Sequence, residues 1–220
     1  MRRTKDILGA IVRSHITMIS VAVLCVVAVV CAQRFTTRLP TARTSASEIV
    51  TRSTDAPDEA KPGSGYQWRG KPNDPKKLKI ASINVDAFLQ NVGVDQNKSV
   101  AVPNNVHMGG WFVDSVRPGE KGLSIIDGHY DGRVQTEAIF KDLDKVRPDD
   151  RIVVEFGNGS TKTFRVSKVT TTTIAEAASV LFSQDPQATN QLNLITCGGT
   201  YLRDAKTYDK RVIVSAQLTP

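Results

Sequence analysis

Cysteine is nearly absent from this chain: there are three in 220 residues, and two of them, Cys25 and Cys31, fall within the first 31. The remainder holds only Cys197, so no disulfide framework staples it. Histidine is equally sparse there, with only His107 and His129. Excess charge is also missing from the larger part of the chain. Residues 78–220 hold 16 Lys/Arg and 16 Asp/Glu, whereas residues 1–77 hold 13 and 6. The formal net charge of +7 therefore belongs wholly to the N-terminal third, and a nucleic-acid partner for the rest loses its electrostatic support. There is no internal repeat. No cofactor and no metal are expected. Asp127, Asp131, Asp142, Asp144, Asp149 and Asp150 lie near loops and read as solvated charges rather than a calcium site.

One long apolar run is present. Ile16 to Ala32 is 17 residues without charge, at the short end for a membrane-spanning helix. Arg2, Arg3, Lys5 and Arg13 precede it, which favours a cytoplasmic N-terminus over residues 1–15. The competing reading is a cleaved signal peptide ending near Val30-Cys31-Ala32. Either way the C-terminal region is expected outside the cell. Residues 33–77 are rich in Thr, Ser, Arg, Pro and Asp, a composition expected to form a flexible stalk.

From residue 78 onward the texture is that of a β-protein. Leu78 to Val85 alternates as a strand, and Leu123 to Ile126 is a short apolar strand running into Asp127-Gly128-His129. Ile139, Phe140, Leu143 and Val146 form a helical stripe within residues 137–146. Gly157-Asn158-Gly159-Ser160 between two β-rich runs signals a hairpin, and Ile174 to Phe182 reads as a second short helix. Gln191 to Thr196 and Arg211 to Leu218 are the last strands. Many short strands with few helices point to a closed barrel or a sandwich over residues 78–220.

Candidate chemistry is confined to few groups. Cys197 follows Leu194-Ile195-Thr196 and precedes Gly198-Gly199, so the thiol is expected at a strand end, opening onto a flexible turn. An unpaired exported thiol is a candidate nucleophile, with a buried inert cysteine as the alternative. Thiol catalysis also needs an acid or base and a group for the developing oxyanion. His129, between glycines in Gly128-His129-Tyr130-Asp131-Gly132, is the first candidate base and His107 the reserve. If the strand ending at Cys197 pairs antiparallel with the one starting at Arg211, the guanidinium projects beside the thiol. The 13 residues between would then form the connecting loop, with Arg203 inside it as the alternative cation.

These segments together resemble the sortase family, most closely its class F, actinobacterial-type group. Leu194-Ile195-Thr196-Cys197 is similar to the end of the family's Thr-Leu-x-Thr-Cys signature, with Asn193 in place of its first Thr. The strand into Gly128-His129 and the Arg211 strand match in order, at spacings of 68 and 14 residues from the cysteine. Val102-Pro103-Asn104-Asn105, Gly110-Trp111-Phe112 and Phe140-Lys141-Asp142-Leu143 add to the likeness. The resemblance implies an eight-stranded all-β barrel with one or two short helices behind an N-terminal transmembrane helix. It further implies a cysteine transpeptidase that cleaves a Leu-Pro-x-Thr-Gly-like sorting signal of a secreted protein. A thioacyl intermediate passes to an amine, commonly on a peptidoglycan precursor. Cys197 would be the nucleophile, His129 the general acid and base, and Arg211 the oxyanion and substrate holder. Thr196, Gly198 and Tyr130 are the implied substrate-binding neighbours. The competing readings are an L,D-transpeptidase-like acyltransferase and a non-catalytic sortase-like binding module. The former carries a His-Gly-Cys-Arg-type segment that Thr196-Cys197-Gly198 does not match.

Overall fold

Eight strands close on themselves, which leaves no unpaired sheet edge. The structure is a computed structural model that describes residues 56–95, 98–133 and 136–220. Among the described residues the strands are β1 (Pro75–Ile80), β2 (Val85–Val92), β3 (Gly109–Phe112), β4 (Gly122–Gly128), β5 (Arg151–Phe156), β6 (Thr161–Thr173), β7 (Asn190–Leu202) and β8 (Thr207–Leu218), with one α-helix, α1 (Ile174–Leu181), between β6 and β7. Around the barrel they run β1-β2-β3-β4-β7-β8-β6-β5, and β5 pairs back onto β1. Two neighbouring pairs are parallel, β2 with β3 and β4 with β7; the rest are antiparallel.

Period-two alternation fills the barrel. Leu78, Ile80, Leu89, Ile126, Ile152, Val154, Phe164, Leu192, Leu194 and Val214 are buried in the interior cluster. Each such side chain contributes about 1.5–3 kcal/mol relative to exposure. Ser124 is also fully buried, and its hydroxyl is the one buried side-chain polar atom without a hydrogen-bond partner among the described residues.

Several expectations need correction. The strand expected over Leu78 to Val85 is broken: a 3-10 turn at Ala81–Ile83 and a left-handed Asn84 (φ 55°) reverse the chain, so that Val85 pairs with Ile80. Asparagine tolerates that conformation better than other side chains. The helical stripe at residues 137–146 is not an α-helix. Ile139, Phe140, Leu143 and Val146 are all buried, yet only Leu143–Lys145 forms a 3-10 turn. The amides of Ile139 and Phe140 bond the carbonyls of Val106 and His129, so tertiary partners replace the helical ones. The hairpin over Gly157 to Ser160 forms, closed by the Phe156 amide on the Ser160 carbonyl at 2.8 Å. α1 forms too, and Thr173 caps it by accepting from the Glu176 amide.

The stalk does not extend to residue 77. Residues 56–74 are bonded to the barrel and β1 begins at Pro75. Asp58 pairs with Asn105, the Trp68 indole N–H donates to the Leu89 carbonyl at 3.0 Å, and the Arg117 guanidinium reaches the fully buried Asp74 carboxylate at 3.2 Å. Among the described residues no helix is long and apolar enough to cross a membrane; the expected span, Ile16 to Ala32, lies outside them.

Candidate active site

The three candidate residues lie on or directly after three adjacent strands: His129 follows β4, Cys197 is on β7 and Arg211 on β8. On β7, Leu192 and Leu194 point into the barrel, so Ile195 and Cys197 point out. On β8, Val212 and Val214 point in, and Arg211 and Ile213 point out. On β4, Ile126 points in and Ile125 out, and the same alternation carries Asp127 outward, with His129 just beyond the strand's end. Cys197 and Arg211 are direct antiparallel partners. Such partners hold their Cβ atoms about 5 Å apart. On the other side Asp127 is in register with Ile195, two residues before Cys197, and His129 follows two residues after Asp127. Thr196 secures the alignment, because its buried hydroxyl donates to the Gly128 carbonyl at 2.7 Å.

Each group has a defined electrostatic setting. The Nε2 of His129 lies 2.7 Å from the Pro103 carbonyl. A carbonyl only accepts, so Nε2 carries the proton and Nδ1 is left as the basic nitrogen of the neutral ring. Burial holds the His129 pKa below the ordinary imidazole value, against the Pro103 bond and the Asp131 charge, which raise it. Burial likewise pushes the Cys197 thiol up; Arg211 opposes this, and the charges of Asp127 and Asp131 add to it. The resting pair at neutral pH is therefore an uncharged thiol and an uncharged imidazole. Arg211 is braced along its own strand: Nη1 donates to the carbonyls of Tyr208 (3.0 Å) and Lys210 (2.8 Å), and Nη2 to the Thr207 hydroxyl at 3.3 Å.

Two positions depart from expectation. Cys197 does not end its strand. β7 continues to Leu202, and the register with β8 shifts between Gly198 and Tyr201. The residues expected as a loop instead extend a hairpin whose turn is 203–206, with Arg203 exposed in it. Asp127 is not a solvated charge. It is 9% exposed, and burial pushes its pKa up to about 8, against a bond from the Gly128 amide and the charge of Arg211.

The implied neighbours are placed as follows. Thr196 is turned into the barrel, and Gly198 is buried opposite Lys210. The Tyr130 ring meets Tyr208 edge-on at 5.0 Å between centroids. His107 bonds the Glu59 carbonyl through Nε2 at 3.1 Å. Asn193 is fully buried and donates to the Leu181 carbonyl at 2.7 Å, tying α1 to β7. Sequence reasoning missed Tyr208, whose hydroxyl donates to Asp131, and the burial of Asp127. The only signal for Tyr208 was its place three residues before Arg211, and no local pattern distinguishes it.

An apolar floor adjoins the thiol. Phe112 (β3), Ile125 (β4), Ile195 (β7) and Ile213 (β8) cluster with Leu181 of α1 on the outer face. Phe182 is 52% exposed and meets Phe112 edge-on at 6.4 Å. A separate cleft of about 600 Å³, lined by Tyr66, Trp68, Leu89 and Gln90, contains none of the three candidate residues.

Comparison with known proteins agrees with the fold. The family model described as the Sortase domain matches residues 78–219. No curated protein sequence matches the chain. Among solved structures, a lid mutant of sortase A from Corynebacterium diphtheriae is similar at TM-score 0.52 and 21% identity, covering 69% of this chain and 73% of that one. Sortase C1 from Streptococcus agalactiae is similar at TM-score 0.50 and 21% identity, covering 69% and 70%. With the family model matching well over half of its length, this chain belongs to the sortase family and is a cysteine transpeptidase.

Proposed function

We propose that this chain cleaves a Leu-Pro-x-Thr-Gly-like sorting signal of secreted proteins and transfers the acyl part to an amine, in the manner of class F sortases. The observation that carries the reading is the direct cross-strand pairing of Cys197 with Arg211, with the strand that leads into His129 in register on the other side of β7. The thiol proton passes to the imidazole and the thiolate attacks the threonyl carbonyl, with Arg211 offering its charge to the oxyanion. The imidazolium then protonates the departing glycine amine, which leaves a thioester. An incoming amine, on a peptidoglycan precursor or another acceptor, attacks that thioester and loses its proton to His129. The expelled thiolate is then reprotonated. The floor of Phe112, Ile125, Ile195 and Ile213 suits the apolar Leu-Pro portion of the signal. Ile16 to Ala32 would anchor the chain with the catalytic domain outside the cell, where exported substrates emerge.

The test is cleavage and transfer by the full chain on a panel of quenched-fluorophore Leu-Pro-x-Thr-Gly peptides with an added glycyl amine. Cys197→Ala is expected to lower the rate at least about a thousandfold. A variant that cleaves as fast as the parent overturns the reading.

A further inference from the structure

Tyr208 reaches both sides of the proposed reaction centre. It lies on β8, three residues before Arg211, and its backbone carbonyl accepts from the Arg211 guanidinium at 3.0 Å. Its phenol hydroxyl crosses to the other side and donates to the Asp131 carboxylate, two residues beyond His129. The ring is held between two aromatic neighbours, edge-on to Tyr130 at 5.0 Å and to Tyr201 at 5.3 Å. Tyr201 is its direct partner across the hairpin. We propose that Tyr208 is a positioning residue for the transfer reaction, clasping Asp131 with its hydroxyl and Arg211 with its carbonyl, so that the groups on both flanks of Cys197 are held as one unit. This rests on the reading of Cys197, His129 and Arg211 as the reacting groups.

The clasp matters because of what surrounds the thiol. Asp127, His129 and Asp131 come from β4 and the segment after it, and Tyr208, Lys210 and Arg211 come from β8. The Asp131 charge acts on both reacting groups, raising the pKa of His129 and of Cys197. Where that carboxylate sits therefore sets how readily thiolate and imidazolium form. Burial, together with the bond to Asp131, pushes the Tyr208 phenol above its ordinary value, so it stays a donor through the working pH range. A phenol donor offsets part of the carboxylate's charge. The removal of that donor leaves the full charge facing the thiol.

The experiment uses the full chain, its Tyr208→Phe and Asp131→Ala variants and the double variant. Two readouts are taken: the pH profile of iodoacetamide alkylation, followed at Cys197 by mass spectrometry, and kcat and KM on the best peptide of the panel. Tyr208→Phe keeps the ring and its packing, so its thermal midpoint is expected to match the parent's. Its kcat is expected to fall about tenfold to a hundredfold with little change in KM. Its alkylation profile should move to higher pH, that of Asp131→Ala to lower pH, and the double variant should follow Asp131→Ala in both readouts. The proposal is overturned if Tyr208→Phe leaves kcat and the alkylation profile unmoved, or if its effect persists undiminished in the Asp131→Ala background. A Cys197→Ala chain that keeps its activity would instead overturn the underlying assignment of the nucleophile.

Discussion

Asp127 sits in the least favourable surroundings for its chemistry of any residue in the site. Its carboxyl is buried on β4 and titrates at about 8 in the folded chain, against roughly 3.9 when unfolded. Between these values the folded state keeps a proton that the unfolded state has lost. Stability therefore falls as pH rises from about 4 to about 8 and levels off above. Asp127→Asn removes that slope while keeping an oxygen for the Gly128 amide. The variant is expected to match the parent near pH 4 and to exceed it at pH 8 by on the order of a few kcal/mol. Urea unfolding at pH 4, 6 and 8 measures this. A difference that does not grow with pH would show that the carboxyl is ionised in the folded state. The neutral thiol and imidazole follow from the same cause, desolvation, which penalises the charged form of each.

Among the elements, the β7–β8 hairpin decides the site. It carries Cys197, Tyr208 and Arg211: its regular register pairs Cys197 with Arg211, and the shift beyond Gly198 sets Tyr208 opposite Tyr201. Gly199 makes this shift possible. Its φ is +82°, and a Cβ there would lie 2.1 Å from Asp209 Oδ1, the acceptor for the Thr200 amide at 2.6 Å. Gly199→Ala is expected to cost about 1–3 kcal/mol through backbone strain and this clash. It should also lower turnover, because the hairpin bearing Arg211 must shift. A thermal melt together with peptide cleavage checks both effects. An alanine variant with the parent's midpoint would mean that the bulge is relaxed.

Across the described residues, the segment 56–74 ahead of the barrel is part of the fold. Trp68 lies against Gly157, where a Cβ would come within 2.6 Å of the indole, and Asp74 holds Arg117 from a fully buried position. A chain cut at residue 78 loses these contacts and the first three residues of β1. Such a chain, compared with one cut at residue 56, is expected to be less stable by about 3 kcal/mol, mostly from lost apolar burial, with a smaller part from the lost partner of the partly exposed Arg117. Equal thermal midpoints for the two would mean that residues 56–77 only rest on the barrel.

By itself the sequence determined the β-rich texture, the Gly157 to Ser160 hairpin, the helix α1 and the short list of chemical groups, because these depend on local periodicity and on residue type. It also allowed the pairing of Cys197 with Arg211 to be anticipated, since an antiparallel register brings a strand's end beside the next strand's start. Tertiary structure decided the rest. Residues 137–146 have a helix's apolar spacing, but the amides of Ile139 and Phe140 go to the carbonyls of Val106 and His129. Residues 56–77 have a stalk's composition but a few long-range bonds fix them. The burial of Asp127 and the clasp from Tyr208 to Asp131 arise between segments roughly 70–80 residues apart in sequence. No local pattern encodes such a contact, because its energy comes from desolvation and geometry that exist only once the barrel closes.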